Sequence, residues 1–116
     1  VELARARDVI HAGARSLVGG MESSQPVAEL VVPTAARQQF TTFLMESRPS
    51  VALVSVTEPV LQGGQAEALV VIQFQWRGQF GDTRRRSVRF RAEASRGATG
   101  WRASSFTALD TPPGGS

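Results

Sequence analysis

The chain has 116 residues and contains no cysteine, tyrosine, lysine or asparagine. Without cysteine there is no disulfide and no thiolate nucleophile or ligand, a pattern that fits any compartment. Histidine occurs once, as His11, so a metal site would need carboxylates around it, and the nearest in sequence is Asp8. No apolar run approaches the roughly 18 residues of a membrane-spanning helix. Neither Gly19-Gly20 nor Gly63-Gly64 sits in a phosphate-binding glycine pattern, and no serine lies in a nucleophile-elbow pattern. No internal repeat is visible. The chain begins at Val1 without a charged-then-apolar leader, which reads as an excised domain or a processed product, with an upstream anchor or domain left open.

What is present is arginine, and it is unevenly spread. Residues 77–102 carry eight arginines against Asp82 and Glu93, a net of +6, while the remainder nets −3. Such a split steers anionic partners and also lets two copies meet head to tail. The segment Thr83–Glu93 concentrates the charge. In it Val88, Phe90 and Ala92 alternate with Ser87, Arg89, Arg91 and Glu93, the period of a half-buried strand. This favours the wet face of a sheet over a nucleic-acid grip by Arg84–Arg91, and nucleic-acid binding is disfavoured.

Apolar and charged fractions of 41% and 20% suit one soluble globular domain. Leu3, Ala6, Ile10, Ala14 and Leu17 predict an amphipathic helix over 2–18, ended by Gly19-Gly20. Residues 22–26 are polar, and Val27–Val32 reads as a short strand or a turn of helix. Pro33-Thr34 opens a second helix over 34–47, striped by Ala36, Phe40, Phe43 and Leu44 and closed by Arg48-Pro49. Four strands are predicted next: 50–61, with Pro59 marking an edge or bulge, then 66–80, 83–95 and 101–109. Glycine-bearing turns join them at 62–65, 81–82 and 96–100. Residues 1–110 form the predicted domain, and 111–116 read as a Pro/Gly tail or linker. Helices followed by an antiparallel meander predict an α+β fold with N-terminal helices on a curved four-stranded sheet.

Three features carry a family resemblance: the phenylalanine-bearing short helix Gln39-Phe40-Thr41-Thr42-Phe43-Leu44, Ala66-Glu67-Ala68 after a glycine hairpin, and a final pair of strands. The latter run Val88-Arg89-Phe90-Arg91 and Gly100-Trp101-Arg102-Ala103-Ser104-Ser105-Phe106. Over residues 3–109 the chain resembles the nuclear transport factor 2-like superfamily, with its cone-shaped, cystatin-like architecture. The resemblance implies a pocket between a concave sheet and the first helix, and a sheet through which members often dimerise. Members include isomerases, dehydratases, secretion subunits and accessory domains, so the fold alone does not choose a function.

Candidate residues follow from both readings. Ile10, Ala14, Phe40, Leu44, Val70, Ile72, Phe74, Phe90 and Trp101, with Val88 and Phe106, would line such a pocket or fill a core. Arg77, Arg85, Arg89, Arg91 and Arg102 would form the outer contact surface. Enzymes of the superfamily rely on tyrosine or asparagine, both missing here, which disfavours catalysis. The leading expectation is a non-catalytic accessory domain of a longer bacterial protein. It would bind a protein partner, a second copy through the sheet, or a small apolar ligand, with no cofactor and no metal, inside or outside the cytoplasm. The alternative is a small isomerase- or dehydratase-like enzyme using His11 or Glu58 as base.

Overall fold

A computed structural model describes residues 2–23, 27 and 29–113. Its elements in chain order are α1 (Glu2–Glu22), β1 (Val31–Val32), α2 (Thr34–Ser47), β2 (Ser50–Val56), β3 (Val60–Gln62), β4 (Gln65–Arg77), β5 (Thr83–Gly97) and β6 (Gly100–Ala108).

Helix α1 buries Ala6, Ile10, Ala14 and Leu17 of the predicted stripe and adds Met21, while Leu3, in its first turn, is exposed. It passes through Gly19-Gly20, where the sequence predicts an end. Each glycine costs a helix about 1 kcal/mol relative to alanine. Full burial of a methionine side chain contributes about 1.5–3 kcal/mol, and Met21 is only 1% exposed, so packing carries the helix one turn further. Gly13 faces the sheet. A Cβ at this position would stand 3.1 Å from the Phe106 ring and 3.3 Å from the Ala103 Cβ, so its absence lets α1 lie close to β6. Helix α2 occupies the predicted range. Arg48 ends it in the left-handed region at φ 43°, its N–H donating to the Leu44 carbonyl.

The sheet departs from the expected curved antiparallel meander of four strands. It has six strands in the order β1-β6-β5-β4-β2, with β3 also on β4, and the path is open at both ends. It is not a closed or strongly curled cone. Two physical causes account for the difference. Pro59 has no N–H to give a ladder and divides the predicted strand 50–61 into β2 and β3. Val31 and Val32 pair in parallel with Phe106 and Thr107, which makes the sheet mixed. The predicted strand 66–80 also ends early. Residues 78–82 turn, with the Gly78 N–H donating to the Asp82 carbonyl and Gly81 at φ 80°.

Residues 24–26 and 28, part of the predicted connector, lie outside the described residues, as do 114–116. Pro112 and Pro113, placed in a tail by the sequence, are buried.

Alternation along β4 and β5 sends Ala66, Ala68, Val70, Ile72 and Phe74, with Val88, Phe90, Ala92 and Ala94, into one core with both helices. Aromatic rings join the layers. Phe40 of α2 lies 5.8 Å from Phe74 and 5.5 Å from Phe90, and Phe43 meets Trp76 edge-on at 4.9 Å, all between centroids. Phe40 is fully buried. Phe40→Ala is expected to lower unfolding stability by about 3–5 kcal/mol in urea titrations. An unchanged midpoint would contradict its role as the joint between helix and sheet.

Candidate interaction surface

The residues expected to line a pocket are brought together, but they pack against one another. Ile10, Ala14, Phe40, Leu44, Val70, Ile72, Phe74 and Phe90, with Val88 and Phe106, are at most 1% exposed. Trp101 is partly buried beside them, and its indole N–H donates to Glu2 Oε2 at 3.0 Å. Three concavities on the described residues all lie away from the middle of this cluster. A groove of about 620 Å³ runs between the outer side of α2 and the chain end, with Gln39, Phe43, Glu46, Pro112 and Pro113 among its walls. A hollow of about 360 Å³ on α1 is lined by Arg7, Asp8, His11, Ala12 and Arg15.

No polar or charged side chain among the described residues is buried. His11 is half-buried and lines the hollow on the outer side of α1. Glu58 is also outside, paired with Arg7 at 3.0 Å, and its side chain is 63% exposed. Among the described residues no three histidine or acidic side chains cluster as metal ligands would.

The arginines fall into register on the opposite face of the sheet. Arg77 lies across from Thr83, Arg85 from Gln75, Arg89 from Val71 and Arg91 from Leu69, while Arg102 lies across from Ser95. All five are exposed. On β4 this face also carries Leu69, Val71 and Gln73, each half-buried by its neighbours. Both helices pack their apolar stripes into the core on the other side, so no helix among the described residues covers this face.

Several of these charges are tied down, through partners that alternation does not reveal. Arg89 grips Asp110 with two side-chain bonds, Nε to Oδ2 at 3.0 Å and Nη2 to Oδ1 at 2.8 Å, and its backbone N–H also donates to Oδ2 at 2.9 Å. These bonds from Arg89, side chain first and backbone second, pull the Asp110 carboxyl down to about 2. The same contact raises Arg89 further above its ordinary value. Arg91 pairs with Glu93 at 3.3 Å and Arg84 with Asp82 at 3.2 Å. At the far end Arg96 meets Glu2 at 2.9 Å. The Trp101 indole and then Arg96 hold the Glu2 carboxyl below its usual range. Arg85 bonds only to the Gln75 amide oxygen, at 3.2 Å. Among the described residues Arg77, Arg85, Arg86 and Arg102 have no carboxylate partner.

Similarity to solved structures places this architecture. An ntf2-like protein with a cystatin-like fold from Novosphingobium aromaticivorans superposes with a TM-score of 0.60 at 21% identity, over 93% of this chain and 84% of that one. The fold is therefore nuclear transport factor 2-like and cystatin-like. The association domain of C. elegans CaMKII shares it at a TM-score of 0.55 and 12% identity, over 92% of this chain and 96% of its own. So does a ketosteroid isomerase-like protein from Erwinia carotovora atroseptica, at 0.54 and 15% identity over 94% and 97%. These identities speak for a shared fold alone. No protein-family model matches the sequence, and no curated protein matches it.

The Arg89–Asp110 contact fixes the start of the chain end to β5 and makes a pH-dependent contribution to this nuclear transport factor 2-like fold. A free aspartate titrates near about 3.9, and the folded carboxyl is depressed. The contribution is thus fully present above the unfolded value and lost as pH falls through the folded one. The stability gap between wild type and Asp110→Asn should hold steady near neutrality and close as pH falls from about 4 toward 2. Urea midpoints across that range check this, and a gap that widens with acid would contradict it.

Proposed function

We propose that this chain is a non-catalytic association module that pairs with a second copy of itself through the outer face of its sheet. The observation that carries this is the uncovered face itself. Leu69 and Val71 form an apolar centre on it, half-buried, and Arg89, Arg91 and Gln73 surround them. A central apolar patch with a polar, arginine-rich rim is the usual anatomy of a protein interface. The interior supports the same reading, since its buried side chains are all apolar. One similar structure, the C. elegans protein, is by name an association domain.

A second reading, a small isomerase-like enzyme, is favoured by the name of the Erwinia protein. Proton abstraction beside a carbonyl needs a base within hydrogen-bonding reach of the substrate. Here its candidates are His11, half-buried in the hollow on the outer side of α1, and Glu58, exposed and paired with Arg7, and neither reaches the core. That reading requires turnover of an enolisable ketone that His11→Ala or Glu58→Gln abolishes while the fold is retained.

Light scattering across a concentration series separates the two. Wild type should rise above monomer mass, and Val71→Glu should return it to monomer, since a charge in a desolvated centre costs several kcal/mol. A wild type that stays monomeric throughout, or a Val71→Glu variant that associates equally well, would contradict the association reading.

A further inference from the structure

The β4–β5 hairpin outruns the rest of the molecule. Strand β2 pairs with β4 only as far as Gln75, opposite Ser50, and β6 pairs with β5 only as far as Phe90, opposite Ala108. The Leu109 N–H reaches the Arg89 carbonyl, and Asp110 reaches the Arg89 N–H. Beyond those points, from Arg77 round to Arg86, the hairpin has no further strand partner among the described residues. Residues 83–87 are exposed on both faces of the ribbon, where the rest of β5 alternates. At about 3.3 Å per residue β4 spans about 43 Å, comparable with the 50 Å long dimension of the molecule.

A bare two-stranded ribbon is marginal on its own, and the side chains on this one are unusual for a bare tip. Phe80, at the apex, is 88% exposed. Gly78 and Gly81 flank it, so no neighbouring side chain shields the ring from those positions. Four arginines stand behind it, Arg77 and Arg85 on one face and Arg84 and Arg86 on the other. Within this stretch the one acid is Asp82, already paired with Arg84 at 3.2 Å, and outside it Asp110, held by Arg89, also feels Arg86. Residues 77–86 therefore net +3.

We propose that this tip docks on an anionic lipid surface, with Phe80 entering the interface and Arg77, Arg84, Arg85 and Arg86 meeting lipid phosphates. The arrangement along the ribbon is what favours lipid. The arginines are set back from the apex by roughly 5–15 Å at strand spacing. An apolar anchor sits about 5–10 Å into the boundary between headgroups and acyl chains, which leaves guanidinium groups on both faces at phosphate level. Arginine suits phosphate through its planar, forked donors. Single-stranded nucleic acid is the competing polyanion, but proteins that hold it stack successive bases on several aromatic rings. Phe80 has no such companion, because the ring of Trp76 is engaged by Phe43 at 4.9 Å. No helix among the described residues is long and apolar enough to cross a membrane, so the contact is a peripheral one.

The test is co-sedimentation of the full chain with phosphatidylcholine vesicles, with and without phosphatidylserine, at low salt. Binding should require phosphatidylserine and weaken as salt rises. Arg85→Gln and Arg86→Gln should each lower the partition coefficient about fivefold, and Phe80→Ser about tenfold. A Phe80→Trp variant should show a blue shift in emission with the anionic vesicles only. These positions lie on the bare ribbon, so thermal unfolding should match wild type and exclude misfolding as the cause of lost binding. The proposal is overturned by absence of vesicle binding, by binding that Phe80→Ser leaves unchanged, or by a tip that binds single-stranded oligonucleotides and ignores vesicles.

Discussion

The contact on which the rest of the molecule depends is Phe40 of α2 seated between Phe74 and Phe90. It joins a helix to the two longest strands. Rings at 5.5 and 5.8 Å, with Phe43 beside Trp76, leave the region between helices and sheet occupied by carbon. Such packing contributes about 0.5–1.5 kcal/mol per aromatic pair beyond burial alone. It also sets the electrostatics, because a core with no polar side chain offers no partner to a buried charge, and burying an unpaired charge is costly.

Ionisable groups among the described residues accordingly stay at least partly exposed, and the organisation of the surface follows from how those groups are tied. Carboxylates hold Arg89, Arg91, Arg84 and Arg96. Among the described residues the sheet arginines without a carboxylate partner are Arg77, Arg85 and Arg86 toward the hairpin tip and Arg102 on β6. The open sheet face and the projecting ribbon are thus two different surfaces on one scaffold. The first has a half-buried apolar centre and suits association. The second combines charge with one exposed aromatic ring and suits an anionic layer.

Much of this architecture is legible in the residue order, and the parts that are not have physical reasons. Pro33, the phenylalanine spacing and Arg48-Pro49 bound α2 because caps and stripes are local signals. Alternation in Val88–Glu93 assigns Arg89 and Arg91 to the outer face for the same reason. The end of α1 is hidden because Met21 is held by the tertiary core, against the local preference of two glycines. Two valines are too few to show a period, so β1 emerges only from the edge that β6 offers it, and with it the mixed sheet. The partners of Arg89 and Arg96 lie 21 and 94 residues away, beyond any periodic pattern. Phe80 reads as the last residue of a strand, and only the turn at 78–82 shows that it stands at an apex. The interior residues were identifiable from sequence, but whether they enclose a space or fill it depends on ring packing in three dimensions.

That filling is the central claim, and methyl NMR tests it most directly. With methyl groups of Ile10, Leu44, Val70, Ile72 and Val88 observed, the protein is titrated with xenon and with small apolar ketones. No saturable shift is expected at these interior methyls under native conditions, since each of these residues is at most 1% exposed and packed against its neighbours. Saturable shifts centred on Ile10 and Ile72 would reveal an interior cavity, contradict the packed core and return the fold to a ligand-binding role.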